Sequence, residues 1–186
     1  MARPNIITKE EILSCTIAFV KKEGLNQLSI RNIADTCGVA PSTIYLYFEN
    51  KMDLICSITG IYWEDCFNKL DFSGNNFFED LRILYNHLST YLKQFQEDWV
   101  GYFASLNHNN KKTTMDYFQK YLSQITAIIN EVLTKYKDTL TCKLVKGPSC
   151  LDIAKYIHCN IFMILHDSNK LNYDLFESIL IELLTK

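Results

Sequence analysis

Ser29-Ile30-Arg31-Asn32-Ile33-Ala34-Asp35-Thr36-Cys37-Gly38-Val39-Ala40-Pro41-Ser42-Thr43-Ile44-Tyr45-Leu46-Tyr47-Phe48 reads as two short helices and the turn between them. Ser29 is a good N-cap, because its hydroxyl can accept an otherwise unpaired first-turn N–H. Ile30, Ile33, Ala34 and Cys37 then recur at helical spacing and predict an inward-facing stripe. Gly38 ends that helix, Val39-Ala40 make a tight turn, and Pro41 stands at a first helical position, where a missing N–H costs nothing. The second helix, Pro41 to Phe48, is about two turns long. At about 100° per residue, Pro41, Ile44, Tyr45 and Phe48 fall on one side, and Ser42, Thr43, Leu46 and Tyr47 on the other. The first set predicts a core face. The second carries two hydroxyls, a phenol and an aliphatic chain with no charge to solvate them.

The segments on either side complete a small bundle. Thr8 and Glu11 form a capping box that opens a first helix, with Ile12, Thr16, Phe19 and Val20 at helical spacing and Gly24 as its stop. Asn50 caps a fourth helix, with Asp53 complementing its dipole, that runs to about Leu70. Three short helices around one core, with a glycine-containing turn between the second and third, make the helix-turn-helix pattern. Its uncharged outer face suits a DNA groove, where Leu46 meets a thymine methyl and Tyr47 a phosphate or base edge.

The chain has 186 residues, 48% of them apolar, with only six Gly and three Pro. Such sparse punctuation favours long helices over a many-turned β fold, and the apolar share excludes disorder. A net charge of −2 argues against coating nucleic acid through bulk positive charge. Residues 1–51 hold six Lys/Arg against five acids, a small excess in the direction an N-terminal DNA-binding part needs. The seven cysteines are scattered without a CxxC pair, no signal peptide is visible, and no apolar run approaches a membrane span of ~20 residues. A cytoplasmic location with free thiols is the expectation. Beyond Leu70 the pattern predicts helices over Phe77–Phe95 and Asp98–Leu106, broken near Gln96-Glu97. Others follow over Thr114–Tyr136, after an Asn107–Asn110 loop, then over Leu151–His166, opened by a Ser149/Asp152 box, and from Tyr173 to the end. The class is all-α, with about nine helices.

The stretch from Ser29 to Phe48, continued by Lys51 and Leu54, closely resembles the DNA-binding signature of TetR/AcrR-type regulators, including its I-Y-x-Y-F-x-x-K run. The resemblance covers about residues 6 to 60. It implies a helix-turn-helix DNA-binding domain over 1–50 and a helical effector-binding and dimerisation domain over 51–186. By position it nominates Arg31 for a guanine edge or phosphate, and Ser42, Thr43, Leu46 and Tyr47 for base and backbone contacts. Tyr45 becomes a boundary contact, Lys51 a phosphate contact, and Ser29 a cap that also touches phosphate. Ala40 departs from the family's usual capping Ser, and Pro41 and Ser42 from its common Lys-Gly pair, at a cost of roughly 1 kcal/mol in capping. The resemblance also implies a homodimer through the last two long helices. Ile153, Ile157, Ile161, Phe162 and Leu165 fit it independently, since they make one helix apolar over more than one face.

The aromatics Tyr62, Trp63, Phe67, Tyr85, Trp99, Tyr102, Phe103, Phe118 and Tyr121 are candidates to line an effector pocket, against the alternative that each is core packing. The histidines show no HxxxH or HxxE spacing, so no metal is expected. No catalytic motif and no cofactor site is visible, and an enzyme is not expected. Cys142 and Cys150, flanking Gly147-Pro148, are the cysteines best placed for oxidation. The function expected is a repressor released from a palindromic operator when a small, largely apolar effector binds. The alternative is control by a protein partner or by thiol oxidation.

Overall fold

The computed structural model describes residues 7–105, 108–140, 149–166 and 172–185, and side chains over 7–93, 116, 119–140, 149–165 and 172–185. These residues hold eight α-helices: α1 (Lys9–Glu23), α2 (Ile30–Cys37), α3 (Pro41–Tyr45), α4 (Lys51–Asn68), α5 (Phe77–Ser105), α6 (His108–Lys135), α7 (Cys150–His166) and α8 (Tyr173–Thr185), with a single 3-10 turn at Leu25–Gln27. No strand occurs among them. The chain forms two compact units, one of residues 1–68 and 94–117, the other of 69–93 and 118–186.

In the first unit the caps expected from sequence are present. Glu11 N–H donates to Thr8 Oγ1 at 3.2 Å, and Thr8 N–H to Glu11 Oε2 at 2.7 Å. Asn32 N–H donates to Ser29 Oγ at 3.1 Å, and Ala40 makes no side-chain cap. Gly38 takes a left-handed φ of 67°, which side chains with a Cβ resist, and so reverses the chain between α2 and α3. The core joins Ile12, Thr16 and Val20 of α1 to Leu25, Leu28, Ile33, Ala34, Ile44, Phe48 and Leu54. Each large aliphatic side chain buried there contributes roughly 1.5–3 kcal/mol. Leu25 and Leu28 extend that core through the 3-10 turn, which sequence periodicity alone does not predict.

Three boundaries differ from expectation. α5 runs unbroken through Gln96-Glu97; both residues are strong helix formers, so a polar turn is not a break. α6 starts at His108, because Asn109-Asn110 has only weak propensity against a helix. Finally, α3 ends at Tyr45, and Leu46-Tyr47 form a turn.

The second unit packs Phe77, Leu81, Leu84 and Leu88 of α5, Tyr121, Ile125 and Ile129 of α6, Ile153, Ile157, Ile161 and Ile164 of α7, and Tyr173, Phe176, Leu180 and Leu184 of α8. A fully buried carboxylate, Asp80, ties its loop down. Asp80 Oδ1 accepts from Gly74 N–H at 2.8 Å, and Oδ2 from Lys135 Nζ at 3.0 Å and Tyr136 OH at 2.9 Å. A Cβ at Gly74 would stand 2.5 Å from Asp80 Oδ1, so this loop position requires glycine. On the same unit Arg82 reaches Asp174 at 2.9 Å and pairs with Glu177 through both its Nε and a terminal nitrogen. These contacts fasten α5 to α8.

Candidate nucleic-acid interface

Tyr45, which ends α3, and Tyr47, in the turn after it, decide how this surface is presented. Ile44 and Phe48 are buried and define the inward direction. At about 100° per residue, Tyr45 and Tyr47 lie roughly 80° to either side of it, and Leu46 lies opposite. Angle alone therefore does not separate the tyrosines, and packing does. Tyr47 is half-buried, and its hydroxyl donates to the Ile7 carbonyl at 2.6 Å. Tyr45 is 55% exposed and Leu46 81% exposed. Pro41 and Tyr45, expected in the core face, are both exposed, because Ile44 and Phe48 fill the space available to this short helix. Lys9 Nζ covers the Phe48 ring at 5.2 Å.

Ser42, Tyr45 and Leu46 are exposed at i, i+3 and i+4, the spacing of one helix face. Thr43 is half-buried beside them, and Arg31 is exposed in the first turn of α2. Ser29 is half-buried and spends its hydroxyl on the cap. Lys51 is half-buried at the first position of α4, and burial lowers its ammonium from the usual lysine range. That desolvation cost is offset when an anion approaches, and the helix N-terminus favours the same anion. Asn50 Oδ1 caps this helix by accepting from Asp53 N–H at 3.0 Å. The role of Ile7 as an anchor was invisible in sequence, since it lies 40 residues from Tyr47.

The aromatic set nominated for an effector is divided among separate contacts. Trp63 is buried and stacks on Phe67 with ring centroids 5.7 Å apart, and Tyr62 beside them is half-buried. Tyr85 stacks on Tyr173 at 4.0 Å, and Tyr121 is buried with Lys120 over its ring. The side chains of Trp99, Tyr102, Phe103 and Phe118, and all of Cys142, Gly147 and Pro148, lie outside the described residues.

Residues 12–58 match the sequence model of the tetR family of bacterial regulatory proteins. The helix-turn-helix segment belongs to the TetR family. An HTH-type transcriptional regulator of Haemophilus influenzae is 30% identical over 138 residues, 74% of this chain and 61% of that protein. The regulator YuxN of Bacillus subtilis is 22% identical over 163 residues, 82% of this chain and 54% of that protein. The chain thus spans only about three-fifths and about half of those relatives. Among solved structures, a transcriptional regulator from Rhodococcus sp. Rha1 superposes with a TM-score of 0.60 at 13% identity, covering 87% of this chain and 83% of that one. The regulator FadR of Bacillus subtilis, solved with stearoyl-CoA, gives 0.51 at 18%, covering 96% and 98%. At these identities the structures establish a shared fold.

Proposed function

We propose that this chain is a DNA-binding transcriptional regulator that reads its operator with α3. The observation that carries the reading is the uncharged face of Ser42, Tyr45 and Leu46, with Leu46, 81% exposed, at the C-terminal cap of the helix that follows the Gly38 turn. A lone aliphatic side chain in water gains nothing there, whereas against a thymine methyl it is buried and selective. Arg31 and Lys51 supply charge for phosphates, and Ser42 and Thr43 supply hydroxyls. Tyr45 takes the more exposed contact, and Tyr47 serves from its anchored position.

The same reading makes the protein a homodimer. The outer faces of α7 and α8 expose Tyr156 and Met163, and Leu175, Ile179 and Leu183, while their inner faces are already filled by the core. Large apolar side chains exposed on two neighbouring helices fit a second copy packed by two-fold symmetry. Two recognition helices then meet a palindromic site with half-sites about 34 Å apart. Residues 1–50 form the reading domain, and 51–186 the dimerisation and effector domain. The outcome is repression, relieved when a small, largely apolar effector favours the dimer state that does not fit DNA. Long-chain acyl-CoA is the first probe to try, since the fold neighbour FadR of Bacillus subtilis was solved with stearoyl-CoA.

The test is an electrophoretic mobility shift on DNA from upstream of the protein's own gene, with Leu46→Ala and Lys51→Ala as controls. A sequence-selective shift weakened in both variants supports the reading. Equal binding by all three proteins would overturn it.

A further inference from the structure

We propose that Lys9 is a further DNA contact, holding a backbone phosphate beside the reading turn, a role that rests on the function proposed above. Two contacts fasten the start of α1 to the end of the helix-turn-helix. Tyr47 OH donates to the Ile7 carbonyl at 2.6 Å, so the chain enters α1 next to the Leu46-Tyr47 turn. Lys9 Nζ then lies 5.2 Å from the centroid of the Phe48 ring. Phe48 is buried, while Lys9 and Leu46 are exposed, which puts the ammonium at the rim of the surface proposed to meet DNA. Lys51 follows Phe48 by three residues at the start of α4. Lysines from two different helices therefore meet the same short stretch of chain, 46–51.

The ring contact accounts for the alkyl chain and one side of the ammonium, but not for its remaining donors. An ammonium carries three of them, and among the described residues Lys9 Nζ meets neither an acidic partner nor a hydrogen-bond acceptor. Glu11 is engaged by Thr8 N–H and Asp53 by Glu49 N–H. Glu10 and Glu49 are exposed and form no ion pair with it. Resting on Phe48 also limits the rotamers of a long side chain, so less freedom is lost when a phosphate arrives. A point charge placed in this way positions the protein on the duplex and carries no base preference. Its effect is therefore equal on every sequence, unlike that of Leu46.

The experiment follows binding of the full chain, by fluorescence anisotropy over a salt series, to DNA from upstream of its own gene and to an unrelated duplex of equal length. Lys9→Met keeps an apolar chain over Phe48 and removes the charge, Lys9→Arg keeps both charge and ring contact, and Lys51→Ala is the reference. Lys9→Met should bind both duplexes roughly eightfold more weakly per protomer at about 0.1 M salt, with the slope of log K against log salt smaller by about 0.9 per protomer. Lys9→Arg should restore affinity and slope, and neither variant should shift melting by more than a few degrees. A packing role would instead move the melting temperature and leave the slope alone. An unchanged slope in Lys9→Met, while Lys51→Ala lowers it, would overturn the Lys9 contact and leave the regulator reading standing. If neither lysine alters the slope, or if the unaltered chain binds neither duplex, the function proposed above fails and this contact fails with it.

Discussion

The outer face of α3 and the outer faces of α7 and α8 are both apolar and both exposed in the single chain, but they differ in extent and rim. The α3 face is one turn long, centred on Leu46 and edged by Ser42, Thr43 and Tyr45, with Arg31 exposed on α2 and Lys51 at the start of α4. The α7 and α8 faces run over several turns, with Tyr156, Met163, Leu175, Ile179 and Leu183 exposed. Small apolar area bordered by hydroxyls suits a polar, charged groove, in which most contacts go to phosphate. Broad aliphatic area suits only another apolar surface. Exposure by itself is therefore uninformative, and what surrounds the exposed group names the partner.

Substitutions that exchange the character of the two faces test this contrast. The largest effect should come from Ile179→Asp with Leu183→Asp, which places carboxylates in the proposed dimer contact. Dimer affinity should fall at least roughly a thousandfold, seen as a monomer by sedimentation with an unchanged helical spectrum. A dimer that persists would break the contrast at its broad end. Next, Asp80→Ala should lower stability by roughly 3 kcal/mol, because Lys135 and Tyr136 lose a buried partner. Chemical denaturation checks it, and operator affinity below the transition should stay near its original value.

Smaller effects sharpen the α3 end. Leu46→Ala should cost about 1–3 kcal/mol against the preferred operator and far less against unrelated DNA. Lys51→Ala should weaken all sequences alike and reduce the salt slope of binding by about one. The smallest change is expected for Tyr47→Phe, which removes the bond to the Ile7 carbonyl. Affinity should fall a fewfold with the salt slope unchanged, whereas Tyr45→Phe, if Tyr45 OH meets a phosphate, should alter affinity without moving the melting temperature. Competition binding over a salt series separates these cases.

Much of this was legible residue by residue. The Thr8/Glu11 box, the Ser29 cap, the Gly38 turn and the Ser149/Asp152 box (Asp152 N–H to Ser149 Oγ at 3.2 Å) all lie where short-range rules put them. Such caps depend on groups three or four residues apart, so local chain geometry suffices to predict them. The continuity of α5 was misread because a polar pair resembles a loop when only hydrophobic periodicity is counted. Asp80 went unnoticed among the acids of a first helical turn, where a carboxylate is ordinary. Its burial depends on Lys135 and Tyr136, more than fifty residues away.

The sequence by itself determined the all-helical class, the helix-turn-helix and its family, since each rests on spacing within one turn or one short motif. Tertiary structure alone decided which of Tyr45 and Tyr47 points outward and which acid is buried. Those outcomes depend on groups brought together across 40 to 56 residues, and only the packed chain supplies the partner that makes one of two equivalent orientations lower in free energy.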